Sequence, residues 1–457
     1  MPDGVPHALG RHLALVGFMG AGKSTLGPQL AERLGRAFVS VDVAVEGRLG
    51  ASIAELFETR GEAAFRELEA EAARDVLSRQ PPAVVELGGG ALGSAGTRDA
   101  LTEYAFTLRL DVEPDEAWRR VADSGRPLAR DREAFFALYD ERASRYDDAA
   151  DASASDLDGA LLAAAGIRFG SHAEAGGDVI VADARAAEAH GIAAAELVEG
   201  KTLAEAERLW DALRIDRSST LVAVGGGTTT DLVGFVAATY MRGIDWIAVP
   251  STLVGQVDAS IGGKVGIDTA QGKNLVGAFH WPAATVIDTS LLQTLPDEER
   301  RNGLAEVVKT GLLAGESYWE LGSEEMVRSC AAFKAGICLR DPYEAGDRAQ
   351  LNLGHTFGHA LEAASDYTVS HGRAVALGLL AALRLSGLED DARVVQNVLE
   401  PAPVAVDRDR AWAALQRDKK ALAGQTRLVL LERPGEPRVT SEVEPERVRA
   451  ALDALIA

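Results

Sequence analysis

Cysteine is nearly missing from this sequence, since only Cys330 and Cys338 occur among 457 residues. Two thiols eight positions apart in a helical pattern predict buried small side chains rather than a disulfide or a metal site. Long apolar runs are also missing, because the longest uncharged one, 374–383, is far shorter than the roughly 20 residues of a membrane-spanning helix. The first residues show no basic stretch followed by an apolar run. We therefore expect a cytoplasmic protein.

Positive charge is also scarce. Asp and Glu number 69 against 47 Lys and Arg, so the formal net charge is −22 at pH 7. Such a charge repels nucleic acid and anionic lipid, so we expect neither nucleic acid nor a membrane as a partner. The expected partners are small-molecule substrates, and an anionic substrate would have to be bound by a local group of cations.

The rest of the composition is that of a globular protein. Apolar residues make up 47% of the 457 positions, which is enough for about three domains of roughly 150 residues each. Strand-like runs that end in glycine turns, such as 13–16, 83–87 and 106–110, alternate with helical patterns. This alternation is typical of parallel sheets and predicts the α/β class.

Four segments are predicted along the chain. An Ala-, Asp- and Ser-rich stretch around 147–165 has no strand pattern and predicts a helical spacer or a loose linker. Helical patterns dominate after about residue 288. The predicted segments are an α/β domain at 1–150, the linker at 151–170, a second α/β domain at 171–290 and an α-helical domain at 291–457.

A phosphate-binding motif lies near the start of the chain. Residues 17–24 read GFMGAGKS, the complete G-x-x-x-x-G-K-[ST] pattern, between a strand-like run and a helical pattern. Its glycines let backbone N–H groups face phosphates, its lysine adds a positive charge and its serine hydroxyl can bind Mg²⁺. The predicted ATP and magnesium ligands are Gly20, Gly22, Lys23, Ser24 and Thr25.

Five further segments accompany this motif. They are FVSVDVAVE (38–46), FRELE (65–69), ELGGGAL (86–92), GRPL (125–128) and RASRY (142–146). Together with the motif they resemble shikimate kinase over about residues 10–150. The resemblance implies a P-loop kinase domain that phosphorylates shikimate with ATP and Mg²⁺.

The same resemblance implies roles for individual residues. Asp42 would hold and deprotonate the shikimate hydroxyl, and Arg66 and Arg142 would pair with its carboxylate. An arginine of the lid would close over the phosphates, and two glycines would approach the ring through their backbone. The implied catalytic residues are Lys23, Asp42 and Arg126, and the implied ring contacts are Gly89 and Gly90.

The chain departs from the kinase pattern at two places. Ser40 stands where the family usually has an aspartate that helps to fix magnesium through water. The predicted lid, 127–141, is shorter than usual. We therefore expect weaker Mg²⁺ binding and altered closure over ATP.

Three of the eight histidines lie close together in the second half of the chain. Spacing alone places His355 and His359 on one helix face, as in many zinc sites, with His371 in a following loop. Packed or surface histidines are the alternative. Upstream, Glu306 and Lys309 lie one helical turn apart, which by itself also fits a surface ion pair.

The surrounding segments favour the functional interpretation. They are AVGGGTTTDLVGF (223–235), YMRGIDWIAVPSTLVGQVDASIGGKVGI (240–267) and GKNLVGAFHWP (272–282). This part of the chain, from about 178 to 431, is similar to 3-dehydroquinate synthase of the sugar-phosphate cyclase superfamily. The similarity implies a Rossmann-like NAD-binding domain followed by a helical domain that binds metal and substrate.

The similarity implies three groups of site residues. The metal, Zn²⁺ or another divalent ion such as Co²⁺, would be held by Glu306, His355 and His371. The NAD contacts would be Asp183, Lys201, Gly225, Gly226, Gly227, Asp231, Ser251, Thr252, Asp258, Lys264, Lys273 and Thr294. The substrate contacts would be Arg242, Asp258, Lys264, Lys273, Asn274, Lys309, Lys334, Arg348, Asn352 and His359, of which Lys264, Lys309, Lys334 and His359 would be catalytic.

The implied reaction is a cyclisation without net oxidation. Zinc and NAD oxidise a secondary alcohol, phosphate leaves, the hydride returns and the ring closes by aldol addition. Alternatives are a related cyclase with another substrate, a polyol dehydrogenase, or one half that has become a regulatory module. The resemblance also implies a homodimer that forms through the synthase half.

Some positions of the synthase pattern stay open. The opening stretch 166–198 is short, so the adenine end of the NAD site is expected to be incomplete. Val198 stands where a glutamate is usual, unless Glu199 replaces it. A further site lysine is either Lys419 or Lys420.

Overall fold

The structure is a computed structural model in which residues 8–122, 130–421 and 427–457 are described. The chain divides into two compact units, Val5–Ile167 and Arg168–Ala457, which we call the first and the second unit. None of the described helices is long and apolar enough to cross a lipid bilayer. The length alone suggested three domains, and the structure groups the chain into two compact parts.

The first unit is built on a five-stranded parallel sheet with the order β2-β3-β1-β4-β5. The strands are β1 (His12–Val16), β2 (Phe38–Ser40), β3 (Val84–Glu86), β4 (Ala105–Leu110) and β5 (Ala152–Ala154). All five residues of β1 are buried, as expected for an apolar run in a parallel sheet. Because β1 lies between β3 and β4, the strand order reverses at β1. Ligands bind outside the carboxyl ends of strands at such a point.

The described residues of the first unit also form seven α-helices. They are α1 (Lys23–Leu34), α2 (Val41–Leu49), α3 (Ile53–Leu77), α4 (Ala95–Tyr104), α5 (Pro114–Val121), α6 (Arg132–Ala149) and α7 (Leu157–Ala164). The helix α3 begins with a capping box, in which Ser52 and Glu55 satisfy each other's backbone N–H groups. The buried side chains of Phe65, Leu101 and Phe135 belong to the core between these helices and the sheet.

The expectation that the stretch 147–165 contains no strand is wrong. Residues 152–154 form β5, which pairs in parallel with β4, and the helix α7 packs against β5 and α1. Asp156 caps α7, since its Oδ1 accepts a hydrogen bond from the Gly159 backbone N–H at 2.8 Å. The small side chains of β5 have little strand preference of their own, and pairing with β4 overrides it.

Part of the predicted lid at 127–141 is also helical. From Arg132 onward these residues belong to α6. Asp131 caps this helix by accepting a hydrogen bond from the Ala134 backbone N–H at 2.7 Å.

Ten strands lie in the part of the second unit that the structure describes. They are β6 (Ile167–Phe169), β7 (Val179–Asp183), β8 (Glu196–Val198), β9 (Thr220–Gly225), β10 (Asp245–Pro250), β11 (Lys264–Thr269), β12 (Gly272–Phe279), β13 (Ala284–Ile287), β14 (Leu428–Arg433) and β15 (Glu436–Thr440). Six of them form one sheet in the order β6-β13-β10-β9-β7-β8. The pairs β13-β10, β10-β9, β9-β7 and β7-β8 are parallel. The predicted α/β domain is confirmed in its fold class.

Ten α-helices are also found among the described residues of the second unit. They are α8 (Ala184–His190), α9 (Leu203–Ala212), α10 (Gly227–Thr239), α11 (Asp297–Ala314), α12 (Ser323–Arg340), α13 (His355–Ala364), α14 (His371–Ser386), α15 (Glu389–Leu399), α16 (Arg408–Ala421) and α17 (Pro445–Asp453). The helix α14 is the apolar run noted in the sequence, and its positions 374–383 are all buried. Both cysteines are buried and unpaired in α12, as predicted.

The region predicted to be all-α contains one hairpin. The strands β14 and β15 pair antiparallel, and β14 packs against α14. A second antiparallel hairpin, β11-β12, lies in the chain between β10 and β13 of the six-stranded sheet. Helices nevertheless make up most of the structure after β13.

Candidate active sites

The phosphate-binding motif forms the turn between β1 and α1. Gly20 and Gly22 have φ values of 86° and 91°, a conformation that favours glycine. Gly22 precedes the first residue of α1 and has no side chain to cap it, so this helix end suits an anion. The Lys23 side chain is 8% exposed, and its Nζ donates hydrogen bonds to the carbonyl oxygens of Gly17 at 2.7 Å and Phe18 at 3.2 Å.

Two contacts of this turn were not predicted. The Ser24 hydroxyl donates a hydrogen bond of 2.5 Å to Oε1 of Glu86, the last residue of β3. Arg120 on α5 donates a hydrogen bond of 2.9 Å to the carbonyl oxygen of Gly20. Both partners are distant in sequence, so no local pattern could have indicated them.

A group of charged side chains lies beside Gly88, at the carboxyl end of β3. A Cβ atom added to Gly88 would lie 2.2 Å from Oε1 of Glu69 and 3.0 Å from Oδ1 of Asp42. Arg66 donates to Oε2 of Glu69 at 2.7 Å and also pairs with Glu62 at 3.0 Å. Glu69 was not predicted as a site residue, although the quoted segment FRELE contains it. Its side chain is buried, and burial raises its pKa in spite of Arg66.

Gly89 and Gly90 complete this pocket. The Gly89 carbonyl oxygen accepts hydrogen bonds from Arg142 at 2.9 Å and from the Tyr146 hydroxyl at 2.5 Å. A Cβ atom on Gly90 would lie 2.4 Å from the Arg66 guanidinium. Burial raises the pKa of Tyr146 to about 12, so this hydroxyl is protonated at neutral pH. The predicted shikimate contacts are therefore neighbours, whereas Arg126 lies outside the described residues.

In the second unit, Glu306, His355 and His371 form one cluster. One ligand atom of each lies within 4.8 Å of those of the other two. The Nε2 atoms of His371 and His355 are 3.0 Å and 3.6 Å from Oε1 of Glu306. His371 is the first residue of α14, so its predicted place in a loop is wrong. His359 lies one turn after His355 on α13, and the centroids of the two imidazole rings are 5.4 Å apart.

Close helix packing assembles this cluster. A Cβ atom on Gly372 would lie 2.2 Å from the Cα of Asn302 in α11, so only glycine lets the start of α14 approach that helix. A Cβ atom on Gly378 would similarly lie 2.0 Å from the carbonyl oxygen of Gly354, just before α13. The three helices that carry the ligands therefore meet at glycines.

The electrostatics of the cluster suit a cation. Burial lowers the pKa of His355 to about 3, so this imidazole is neutral and can bind a metal. Burial would also lower the pKa of His371, but hydrogen bonds to Glu306 and Glu362 outweigh it and raise the pKa to about 10. One carboxylate and two imidazoles are the donor set of catalytic zinc sites. Glu362, 3.4 Å from Nδ1 of His371, was not predicted and would orient that ring.

A chain of buried charges leads away from the cluster. Lys309 lies 2.5 Å from Oε2 of Glu306 and 2.7 Å from Oδ2 of Asp258. Lys334 bonds to the Asp258 carboxylate and, at 2.7 Å, to its carbonyl oxygen. Burial would raise the pKa of Asp258, but these two lysines outweigh it and lower the pKa. Lys309 and Lys334 are thus both held by Asp258, and Lys309 also contacts Glu306 of the cluster.

A second group of predicted substrate contacts gathers around Glu344. Its carboxylate oxygens lie 2.5 Å from Nζ of Lys264 and 3.4 Å from Nδ2 of Asn352. Arg348 is 2% exposed and donates to the carbonyl oxygens of Gly262 and Pro342. Arg348 therefore holds two loops together in this structure, whereas the resemblance makes it a substrate contact.

A third group connects the sheet to the hairpin β11-β12. Lys201 lies 2.7 Å from Oδ2 of Asp231 and 2.5 Å from Oδ1 of Asn274. Burial raises the pKa of Asp231 to about 6, although Lys201 opposes the shift. Lys273 lies 4.3 Å from the ring centroid of Tyr367.

The predicted NAD contacts meet where the strand order reverses between β7 and β9. Asp183 and Gly225 are the last residues of these strands, and a Cβ atom on Gly225 would lie 2.9 Å from that of Asp183. The Ser251 backbone N–H donates to the Gly225 carbonyl oxygen at 2.8 Å. Thr252 approaches Gly226, whose added Cβ would lie 3.0 Å from Cγ2 of Thr252. The helix α10 then begins at Gly227 without a side-chain cap, so the crevice fits a dinucleotide phosphate.

Some predicted residues are not brought to these groups. Thr294 bonds to Nε2 of His190 at the end of α8. Arg242 is exposed and lies before the amino end of β10. The predicted NAD contacts lie beyond the carboxyl end of this strand, and a six-residue strand is about 20 Å long. Lys419 and Lys420 lie in α16, but their side chains are outside the described part of the structure.

Family models match three parts of the chain. Residues 19–160 match shikimate kinase, residues 192–302 match the N-terminal part of 3-dehydroquinate synthase and residues 303–421 match its C-terminal part. The first match lies within the first unit and the other two within the second unit.

Relatives of the second unit are closely similar. The 3-dehydroquinate synthase of Halorhodospira halophila is 43% identical over 281 residues, which cover 55% of this chain and 79% of that protein. The enzyme of the same name from Symbiobacterium thermophilum is 42% identical over 284 residues, covering 56% of this chain and 79% of that protein.

A solved structure shares the fold of the second unit. It is 2-deoxy-scyllo-inosose synthase with carbaglucose-6-phosphate, NAD⁺ and Co²⁺, at 25% identity and a TM-score of 0.55, covering 63% of this chain and 96% of that one. The chain thus belongs to the 3-dehydroquinate synthase family and carries a shikimate kinase domain ahead of its synthase part.

Proposed function

We propose that this chain catalyses two reactions of the shikimate pathway. The first unit phosphorylates the 3-hydroxyl of shikimate with ATP. The second converts 3-deoxy-D-arabino-heptulosonate 7-phosphate to 3-dehydroquinate and phosphate, with NAD and a divalent metal. The observation that carries the proposal is that each unit gathers several of its predicted site residues into one cluster. The first unit places Asp42 and Arg66 around the glycines 88–90. The second brings ligand atoms of Glu306, His355 and His371 within 4.8 Å of one another.

The kinase step follows from the groups beside Gly88. Lys23 neutralises charge on the transferred phosphoryl group, and Asp42 accepts the proton of the attacking hydroxyl. The guanidinium groups of Arg66 and Arg142 bind the substrate carboxylate in two-pronged fashion. Arg66 bonds to Glu69 and Glu62 in this structure, so shikimate has to compete with Glu62 for it.

In the synthase unit, Glu306, His355 and His371 would hold the metal. When bound, the metal polarises substrate oxygens and NAD accepts and returns a hydride. The chain's own contribution is a set of fixed cations, because Lys309 and Lys334 are anchored by Asp258. These lysines bind the anionic groups of the phosphorylated keto acid in an otherwise acidic protein. The solved relative with NAD⁺ and Co²⁺ supports both cofactors.

The alternatives raised by the sequence are not favoured. A different substrate for the second unit is opposed by relatives that are 42–43% identical over 79% of their length and are synthases of 3-dehydroquinate. A decayed half is opposed by the intact groups in both units. In the first unit Lys23 and the charged groups beside Gly88 are in place, and in the second the metal cluster is in place.

Two further parts of the proposal are a homodimer and a cytoplasmic location. Leu275 and Val276 on β12 are 64% and 44% exposed, which is unusual for large apolar side chains and favours pairing of synthase units. Sedimentation velocity should give twice the mass of one chain. The unpaired Cys330 and Cys338 suit a reducing compartment.

The purified full-length chain provides the test. It should release phosphate from 3-deoxy-D-arabino-heptulosonate 7-phosphate in the presence of NAD, and a chelator should stop the release. With ATP and Mg²⁺ it should form ADP only when shikimate is added. Lys23→Ala should lower the kinase rate by at least about 100-fold and leave phosphate release unchanged. Failure of either wild-type reaction would refute that half of the proposal.

A further inference from the structure

The contact between Ser24 and Glu86 has no role in the function described so far. Ser24 is the second residue of α1, and Glu86 ends β3, the strand next to β1. The hydroxyl donates a hydrogen bond of 2.5 Å to Oε1 of Glu86. Glu86 is half-buried and Ser24 is exposed, so the pair lies at the rim of the phosphate-binding turn.

This position is where a P-loop protein binds magnesium. The Ser or Thr of the motif supplies one oxygen to the Mg²⁺ that accompanies the nucleotide, and a carboxylate at the end of a neighbouring strand fixes the ion. Magnesium prefers carboxylate and hydroxyl oxygens and keeps several waters. Glu86 offers such a carboxylate within hydrogen-bond distance of the motif serine.

Because position 40 is a serine, it provides no carboxylate for the metal, and Glu86 on the neighbouring strand can provide one. The strands β2 and β3 are parallel, and Ser40 is the registered neighbour of Glu86. Registered residues of adjacent parallel strands are about 4.8 Å apart and point to the same face. A glutamate side chain is one methylene longer than an aspartate, so Glu86 can reach a place that an aspartate at position 40 would serve.

The other carboxylates near this edge have different partners. Glu69 is bonded to Arg66, and Asp42 lies beside Gly88 with Glu69. An aspartate at position 40 beside Glu86 would place two like charges in register, which is unfavourable. A neutral Ser40 beside an acidic Glu86 therefore avoids this repulsion and keeps one carboxylate at the site.

We propose that Glu86, together with Ser24, holds the Mg²⁺ of bound ATP, and that its carboxylate replaces the one missing at Ser40. The proposal rests on the kinase function of the first unit. It makes Glu86 a metal-binding residue, and under this proposal Ser40 does not by itself weaken magnesium binding.

Nucleotide binding tests the proposal without catalysis. Calorimetric titration of ADP into the full-length chain, with saturating NAD⁺ to fill the second unit, should show tighter binding with Mg²⁺ than with EDTA. In Glu86→Gln, the ratio of these two affinities should fall at least tenfold toward one, while the affinity in EDTA changes less than twofold. Glu32→Gln, on the exposed side of α1, is the matched control and should keep the wild-type ratio.

A swap variant guards against misfolding. Ser40→Asp combined with Glu86→Ser should recover most of the lost Mg²⁺ effect, and Ser40→Asp alone should not exceed the wild type. An ADP affinity in EDTA within twofold of the wild type reports that the first unit of each variant is folded. Full Mg²⁺ dependence in Glu86→Gln, or none in the wild type, would overturn the role of Glu86. Absence of shikimate phosphorylation by a wild type that binds Mg²⁺ and ADP normally would instead refute the kinase function.

Discussion

The ammonium nitrogen of Lys309 lies 2.5 Å from Oε2 of Glu306, one turn earlier on α11, and both side chains are at most 2% exposed. The spacing of these residues also allowed a surface ion pair, and the structure excludes it. Burial would lower the pKa of Lys309, but Asp258 and Glu306 outweigh it and raise the pKa. The lysine is therefore charged at neutral pH and balances two buried carboxylates.

Removing this charge should be costly. Lys309→Met leaves Glu306 and Asp258 without their shared partner, and breaking a buried ion pair costs about 3–5 kcal/mol. We expect loss of phosphate release and a lower free energy of unfolding, measured by urea denaturation. Lys309→Arg keeps the charge but needs more room, so it should recover part of the stability and little activity. A fully active Lys309→Met protein would contradict this role.

Arg66→Lys should impair shikimate binding more than ATP binding. A lysine keeps the charge but loses the planar fork that fits a carboxylate, and one lost charge-assisted hydrogen bond corresponds to a Michaelis constant raised about 10-fold or more. The constant for ATP should change less than about threefold, since Arg66 lies beside Gly90 and Glu69 rather than the phosphate turn. Steady-state kinetics with each substrate varied in turn would decide. A parallel rise of both constants would show that Arg66 is not the carboxylate partner.

Asp231→Asn should change how stability depends on pH. Burial raises the pKa of Asp231 from 3.8 to about 6, although the nearby charge of Lys201 lowers it. Between these two values the carboxyl of Asp231 is protonated in the folded state and ionised in the unfolded chain. Its contribution to the free energy of unfolding is therefore largest below pH 4 and is lost as the pH rises through 6. The variant does not titrate here. Its free energy of unfolding minus that of the wild type should rise by about 2–3 kcal/mol from pH 4 to pH 7. Urea denaturation of the NAD-free proteins would measure the difference, and a flat or falling curve would contradict the assignment.

The sequence predicted ligands better than their supporting groups. The motif around Lys23 and the cluster of His355 and His371 have local spacing that indicates chemistry. Glu362 and Glu344 have no such spacing, because tertiary packing alone brings them beside His371 and Lys264. The lysine content carries a further signal. The chain has only eight lysines among its 47 basic residues. Six of them are predicted site residues, and one of the other two, Lys419 or Lys420, is predicted to be a seventh. Where a compact ammonium is required, arginine does not replace it.

The errors in the fold have similar physical causes. Residues 152–154 read as part of a linker because alanine and serine carry no strand signal, yet β4 offers an edge that this short strand completes. Position 371 was predicted to lie in a loop because the first residue of a helix has no preceding turn that would show a helical spacing of apolar residues. Its place in α14 depends on Gly372, which lets the helix begin against Asn302. Such close backbone approaches cannot be derived from spacing.

His371→Ala should remove the metal from the second unit and leave the first unit active. One of three protein ligands is lost, so the purified variant should hold well under half of the zinc found in the wild type, and phosphate release should fall by at least about 100-fold. Glu362→Gln keeps all three ligands but weakens the contact at 3.4 Å that orients the His371 ring, so a smaller loss of metal affinity, about 10-fold, is expected. Kinase activity with added Mg²⁺ should stay within twofold of the wild type in both variants, because the first unit has its own core.

The test combines elemental analysis of the purified proteins with both activity assays. A His371→Ala protein that keeps stoichiometric zinc and cyclises normally would refute the metal site, and one that loses kinase activity as well would refute the independence of the units.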